Sequence, residues 1–414
     1  MASHTTKVAP ASESRLDLSK WSKLPMILII VGAVGLAFAY FKGDGGAKQF
    51  AYSYLTAYMF FLSLCLGGLF LTLMHHLFDS GWSVPIRRIT EHLAFLFPIM
   101  AILFIPIALC SHQIYDWMTM DPPDHSLHEK AALVNEKTWY IIAVVLFAVW
   151  SFLSWRLRAL SLAQDKDGAA KWTRGMRFHS AWGIFAFGFS LTLAAIMWMK
   201  TIEHQWYSTM YGVYYFAGSV WVTLVTVYVI TLALKKSGPL AGVAHRRQFH
   251  DLGMLFLVFT VFYAYIHFSQ YFLIWNAAIP EETFWYVERE VGSWWQVGML
   301  LLFGHFLIPF LTMLRIDAKL SIPIMIVMTV WAWICHYMDM AFNVLPHLLP
   351  KGYETHLADV GALCFIGGVL SMVFVKYLKS NPVYPQRDPR IAEAMGVYVK
   401  PATASVASNL EGHA

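Results

Sequence analysis

The chain of 414 residues is 58% hydrophobic and only 13% charged, with a formal net charge of +5. A mean hydropathy of +0.53 excludes a soluble globular protein. The four cysteines stand singly, with no Cys-x-x-Cys, so neither an iron–sulfur cluster nor a structural zinc site is supported.

Taken in order, ten apolar stretches read as transmembrane helices: 24–41, 51–78, 92–111, 138–155, 179–199, 212–234, 252–275, 293–313, 321–343 and 357–378. Each has about 18 to 28 residues, where about 20 suffice to cross the hydrocarbon core. The first follows Arg15, Lys20 and Lys23 and contains Ala37-Phe38-Ala39, which resembles a signal-peptide cleavage site. It is nevertheless expected to be a retained helix, and a peripheral one, because it holds no charged side chain. Residues 1–20 and those after Lys379 are polar and are expected to be loosely ordered tails.

Loop charge orients the spans. With the N-terminus in the cytoplasm, 23 of the 30 Lys and Arg lie on the cytoplasmic side, the bias expected of a multi-pass protein of a bacterial inner membrane. Both termini are then cytoplasmic. The loops after the third and seventh stretches face outward and are acidic, with Asp116, Asp121, Asp124, Glu129 and Glu136 in one and Glu281, Glu282, Glu288 and Glu290 in the other. Trp117, Trp139, Trp206, Tyr207, Tyr211, Trp275, Trp285, Tyr286, Trp294 and Trp295 cluster at the outer ends and read as an interfacial belt or a partner-facing surface.

An internal repeat organises the spans. Offset by 159 residues, Arg87-Arg88 with Glu91-His92, Leu93, Leu96 and Phe97 meets Arg246-Arg247 with His250-Asp251, Leu252, Leu255 and Phe256. The expected fold is all-α and integral to the membrane, with ten transmembrane helices in two same-orientation four-helix bundles plus two peripheral helices. The divisions are a cytoplasmic tail (1–23), a peripheral helix and loop (24–50), a first bundle (51–210), a second bundle (211–350), a peripheral tenth helix (351–379) and a cytoplasmic tail (380–414).

Ionisable groups inside a bilayer cost several kcal/mol unless they pair or meet water, which makes them candidates for function. His75, His76, Asp79, Glu91, His92, His179 and His250 lie near the cytoplasmic ends, within reach of Arg87, Arg88, Arg246 or Arg247, and read as structural. Asp251 stands apart, because its span continues for about four turns without another charge. Deeper lie His305, the pair His267 and Gln270 three residues apart, and the set His336, Asp339 and Asn343. Asp339 is the only carboxylate well inside any stretch. Together Asp251, His305, His336, Asp339, His267 and Gln270 outline a proton path through the second bundle, with Asp251 at the cytoplasmic mouth and Asp339 at the outer end. The alternative for the Asp339 set is a structural hydrogen-bond knot. The histidine spacing does not force bis-histidine haem ligation. The chain is expected to bind no metal or redox cofactor of its own, and no catalytic residue is assigned.

Two segments are more specific. The run from His267 through Gln270, Trp275, Pro280, Glu281 and Trp285 to Tyr286, and the run Glu203-His204-Gln205-Trp206-Tyr207-Ser208-Thr209-Met210-Tyr211-Gly212, resemble signatures in the membrane subunits of alternative complex III. These subunits belong to the polysulfide-reductase membrane-subunit (NrfD-like) family. The resemblance spans residues 20–380 and implies the smaller of the two such subunits in a quinol:electron acceptor oxidoreductase of a respiratory chain. It implies menaquinol as the quinol used by the complex. The implied partners are a homologous larger NrfD-like subunit that binds quinol, a periplasmic iron–sulfur subunit, c-type haem subunits and membrane lipids; no nucleic acid is expected. The chain departs from the quinol-site pattern of the larger subunit, so its implied role is assembly and proton translocation. Rival readings are a secondary transporter or a passive scaffold.

Overall fold

The computed structural model describes residues 23–41 and 45–396; the readings made of residues 1–22 and 397–414 lie outside the described residues. Ten apolar helices follow in order: α1 Leu24–Tyr40, α2 Gly46–Leu77, α3 Val84–Leu109, α4 Glu136–Asp167, α5 Ala170–Trp198, α6 Tyr211–Lys236, α7 Arg246–Ala277, α8 Trp294–Leu314, α9 Ile322–Val344 and α10 Leu357–Ser380. Nine are long and apolar enough to span a membrane, and α1, with 17 residues, is shorter. No strand occurs among the described residues. The protein is an all-α, multi-pass membrane protein.

Helices overrun their apolar cores. Each of α2, α4 and α7 has 32 residues, a rise of about 48 Å against a hydrocarbon core of roughly 30 Å. Their polar ends therefore lie beyond the hydrocarbon. Asn135 starts α4 by accepting a hydrogen bond from the Thr138 amide at 2.9 Å. Gly168, at φ 70°, ends it in the left-handed conformation that reverses the chain into α5. Breaks fall where proline removes an amide: α3 is interrupted before Pro98 and Pro106.

The contacts close two rings, α2–α3–α4–α5 and α6–α7–α8–α9, which are the two four-helix bundles. The helices α2 and α6, each first in its bundle, pack on one another and are the most buried spans. Gly67 permits their approach, since a Cβ there would lie 2.6 Å from the Ser219 carbonyl oxygen. Outside the bundles α1 packs mainly along α10. Small residues set that crossing: a Cβ on Gly32 would lie 2.3 Å from the Phe365 amide nitrogen, and one on Gly368 would lie 2.9 Å from that of Ile29.

Two expectations are corrected. Residues 381–396, expected to be part of a loose tail, pack onto the end of the molecule where α2 finishes and α3 begins, the basic end. There Asp388, fully buried, pairs with Arg87, and the Gln386 amide donates to Asp165 at 2.9 Å. Gln248 of α7 donates to the Ala394 carbonyl at 3.0 Å, so the segment ties the first bundle to the second. Buried acceptors outweigh the polar composition of the segment. The aromatic belt is mostly internal as well. Trp117, Trp139, Trp206, Tyr211, Trp285, Tyr286 and Trp294 are buried, and only Tyr207, Trp275 and Trp295 among those named are exposed. Their indole N–H groups tie helix ends and loops together: Trp139 donates to the Met197 carbonyl, Trp206 to that of Glu282 and Trp294 to that of Leu349.

Candidate functional site

The site lies in the half of the second bundle away from the basic end and is built from α6, α7, α8 and α9. On α9, His336 and Asp339 are one turn apart on a face that is fully buried, with Asn343 one turn further. His305 comes from α8, in a π-helical turn spanning Leu301–Leu307. Pro309 supplies the cause: it lacks the amide that would bond the His305 carbonyl four residues back, and the helix widens there. The turn swings the imidazole between the rings of Trp221 and Tyr263, each with its centroid 3.7 Å away.

The hydrogen bonds are directional. Ser63 of α2 donates to the Phe60 carbonyl at 2.6 Å, so its oxygen accepts from His336 Nε2 at 2.9 Å. That leaves His336 Nδ1 with a lone pair and no partner. Asp339 Oδ1 accepts from the Tyr214 hydroxyl and from Asn343 Nδ2, the latter at 3.3 Å. Tyr214 also meets the Tyr263 hydroxyl at 3.1 Å, and Tyr211 donates to Asn343 Oδ1 at 2.9 Å. Asp339 Oδ2 has no partner, nor has either ring nitrogen of His305. His336 Nδ1 and Asp339 Oδ2 are 3.9 Å apart, and His305, His336 and Asp339 each bring one donor atom within 4.8 Å of the other two. Gly218 makes room for this: a Cβ there would lie 3.0 Å from His336 Cε1.

The residues singled out in the sequence divide. His305, His336 and Asp339 come together. His267 stacks on Tyr263 at 5.8 Å and lies tilted against Tyr214 at 5.5 Å, at the border of the cluster. Gln270 turns away, accepting from Ser208 at 2.8 Å and donating to Tyr286 at 3.1 Å. Asp251 stays at the basic end, part-exposed, 3.2 Å from His250 and 3.7 Å from Arg247. Among the described residues no hydrogen bond leads from Asp251 toward His305. The next hydroxyl along α7 is Thr260, about 13 Å further by helix rise, and it accepts from Trp221 and donates to the Phe256 carbonyl. His305 is therefore a member of the Asp339 cluster rather than a midway relay. Of the groups near the basic end read as structural, Glu91 pairs with Arg87 and Arg88, and Asp79 with Arg177 and Arg390. Arg87, Arg88 and Glu91 are fully buried, which the sequence did not indicate.

Sequence reasoning missed three contributors. Tyr214 and Ser63 sit in apolar stretches with nothing to show their facing. Arg289, counted only as a loop charge, is buried, donates to the Phe342 carbonyl at 2.9 Å and to Glu203 at 3.1 Å, and lies 3.5 Å over Trp285. Its neighbours show that the two distinctive segments pack on one another above the cluster, with Trp206 stacked on Trp285 at 4.5 Å. A cavity of about 430 Å³ between α7 and α8 touches Tyr263 and His267 and is bordered by exposed Phe268, Leu302 and Trp295. Outside the spans, burial and then the nearby Lys130 charge lower the Lys200 ammonium to about 7. No model of a known protein family matches this chain, and no curated protein matches it.

Proposed function

We propose that the chain is the smaller, F-type membrane subunit of an alternative complex III, a quinol-oxidising respiratory assembly of the bacterial inner membrane, with both termini cytoplasmic. In this reading the larger NrfD-like subunit binds the quinol, menaquinol, while iron–sulfur and c-haem subunits carry the electrons outward. The present chain contributes assembly and proton handling. The observation that supports it is the unpartnered triad of His305, His336 and Asp339, buried in a second bundle whose outer cap is built from the two segments that resemble the family. The chemistry follows from the donor atoms. A proton on Asp339 Oδ2 faces the lone pair of His336 Nδ1, and His305 stands within one water's reach of both, the spacing over which proton transfer proceeds. Tyr214 and Asn343 hold the other carboxylate oxygen, so one oxygen anchors and the other exchanges. Asp251 is the proposed intake at the basic end, and water or side-chain motion must bridge the apolar length of α7 between it and Thr260.

The test is extraction in a gentle detergent with a tag on this chain. Co-purification of haem-containing and iron–sulfur subunits at fixed stoichiometry is expected. A chain that elutes alone from native membranes and moves a solute in vesicles contradicts the reading and favours a transporter.

A further inference from the structure

The three donor atoms that converge in the second bundle also satisfy the requirements of a different occupant. We propose that His305, His336 and Asp339 form a binding site for a first-row divalent transition-metal ion of the zinc class. This inference stands on the geometry alone and does not require that protons cross the bundle.

The ligand set is two imidazoles and one carboxylate, which suits zinc, cobalt or iron rather than magnesium or calcium, whose sites are built from oxygen. In His336 and Asp339 one polar atom is held by a neighbour and the other is left free. His336 Nε2 donates to Ser63, itself fixed on the Phe60 carbonyl, so Nδ1 is the bare nitrogen. Asp339 Oδ1 is held by Tyr214 and Asn343, so Oδ2 is the bare oxygen. Such outer partners fix the tautomer and ring orientation of a metal-binding histidine. His305 has no hydrogen bond at either nitrogen, yet its ring is clamped between Trp221 and Tyr263, so its orientation is set by stacking. All three residues are buried to 1% exposure or less, where unpartnered polar atoms are costly.

The fit requires a modest closure. The atoms lie within 4.8 Å of one another, whereas ligands about 2.05 Å from a tetrahedral zinc stand about 3.3 Å apart. Side-chain rotation must close up to about 1.5 Å, and Gly218, beside the His336 ring, puts no Cβ in its way. An ion also needs a route. The cavity between α7 and α8 has Glu290 in its wall and ends at Tyr263 and His267, so those two rings must move aside for a cation entering from the side remote from the basic end.

The experiment uses the full chain in detergent, loaded with Co²⁺ and then with Zn²⁺ and desalted. One Co²⁺ per chain is expected, with the visible ligand-field bands of a low-coordinate nitrogen–oxygen site, displaced by Zn²⁺. Asp339→Asn and His305→Gln should abolish the bands. Ser63→Ala, which removes only an outer partner, should keep the fold and weaken Co²⁺ affinity about 10- to 100-fold. His112→Ala, at an exposed site paired with Glu136, should change nothing. Failure to retain the ion, or retention unchanged in Ser63→Ala and His305→Gln, overturns the proposal. A bound ion would occupy the same Asp339 Oδ2 and His336 Nδ1 that the proton reading uses, so the two readings compete for one site, and ion retention and proton release, read separately, tell which fails.

Discussion

Gly218 shows how narrowly the site is built at the residue scale. Its missing Cβ leaves His336 against α6, and a methyl group there would stand 3.3 Å from Nδ1. Gly218→Ala is expected to push the ring off Ser63 and to cost about 1–3 kcal/mol as an overpacking change, read as a lower unfolding temperature in detergent. Asp339 was legible in the sequence because a lone carboxylate deep in an apolar stretch is rare. Its anchor Tyr214 was not, because one sequence gives no helix rotation. Lys200 offers a pH test outside the membrane. Burial, helped by the nearby Lys130 charge, lowers it to about 7 against an unfolded value of about 10.4. The unfolded chain therefore binds more protons between those values, and the folded state gains stability as pH rises from about 7 toward 10. Lys200→Met should stabilise the protein most below pH 7, with the gain shrinking toward pH 10; an equal gain at pH 6 and pH 9 contradicts this.

At the scale of elements, length and hydropathy located all ten helices, since burying backbone in lipid demands apolar helices of about that length. The ends were less legible, because polar first and last turns extend beyond the hydrocarbon in α2, α4 and α7. The segment 381–396 was misjudged, since composition cannot show that one aspartate completes a buried ion pair 301 residues away in sequence. Burial alone would raise Asp388, but Arg390 and Arg87 hold it down at about 2. Its contribution is thus present above the ordinary carboxylate value near 4 and is lost as pH falls toward 2. Asp388→Asn leaves buried Arg87 with Glu91 as its ionic partner and should cost roughly 3–5 kcal/mol, the range for breaking a buried pair. Differential scanning of the variant checks it, and a change under about 1 kcal/mol would show the segment to be dispensable. The α1–α10 pair gives a second test. Gly32→Leu cannot be accommodated against the Phe365 backbone, so α1 should detach while the bundles remain folded. Protease accessibility of the N-terminal helix in detergent reads this out, and unchanged protection contradicts the packing.

For the whole molecule, the paired bundles were legible from a weak repeat because each Arg-Arg pair opens a span that runs in the same direction. The depth of each polar core was not. The first bundle buries its charges at the basic end around Arg87, Arg88 and Glu91, and the second buries its titratable groups in the other half around Asp339. That asymmetry places the triad of His305, His336 and Asp339, with its unpartnered donor atoms, in the second bundle. The most direct measurement is proton release per electron, alongside turnover, in the proposed quinol-oxidising assembly carrying Asp339→Asn, which keeps the shape and the Tyr214 hydrogen bond while removing the oxygen proposed to exchange. The variant is expected to assemble and to release fewer protons per electron than the wild type. An assembled variant with wild-type proton release and wild-type turnover would contradict this and leave the cluster a structural knot.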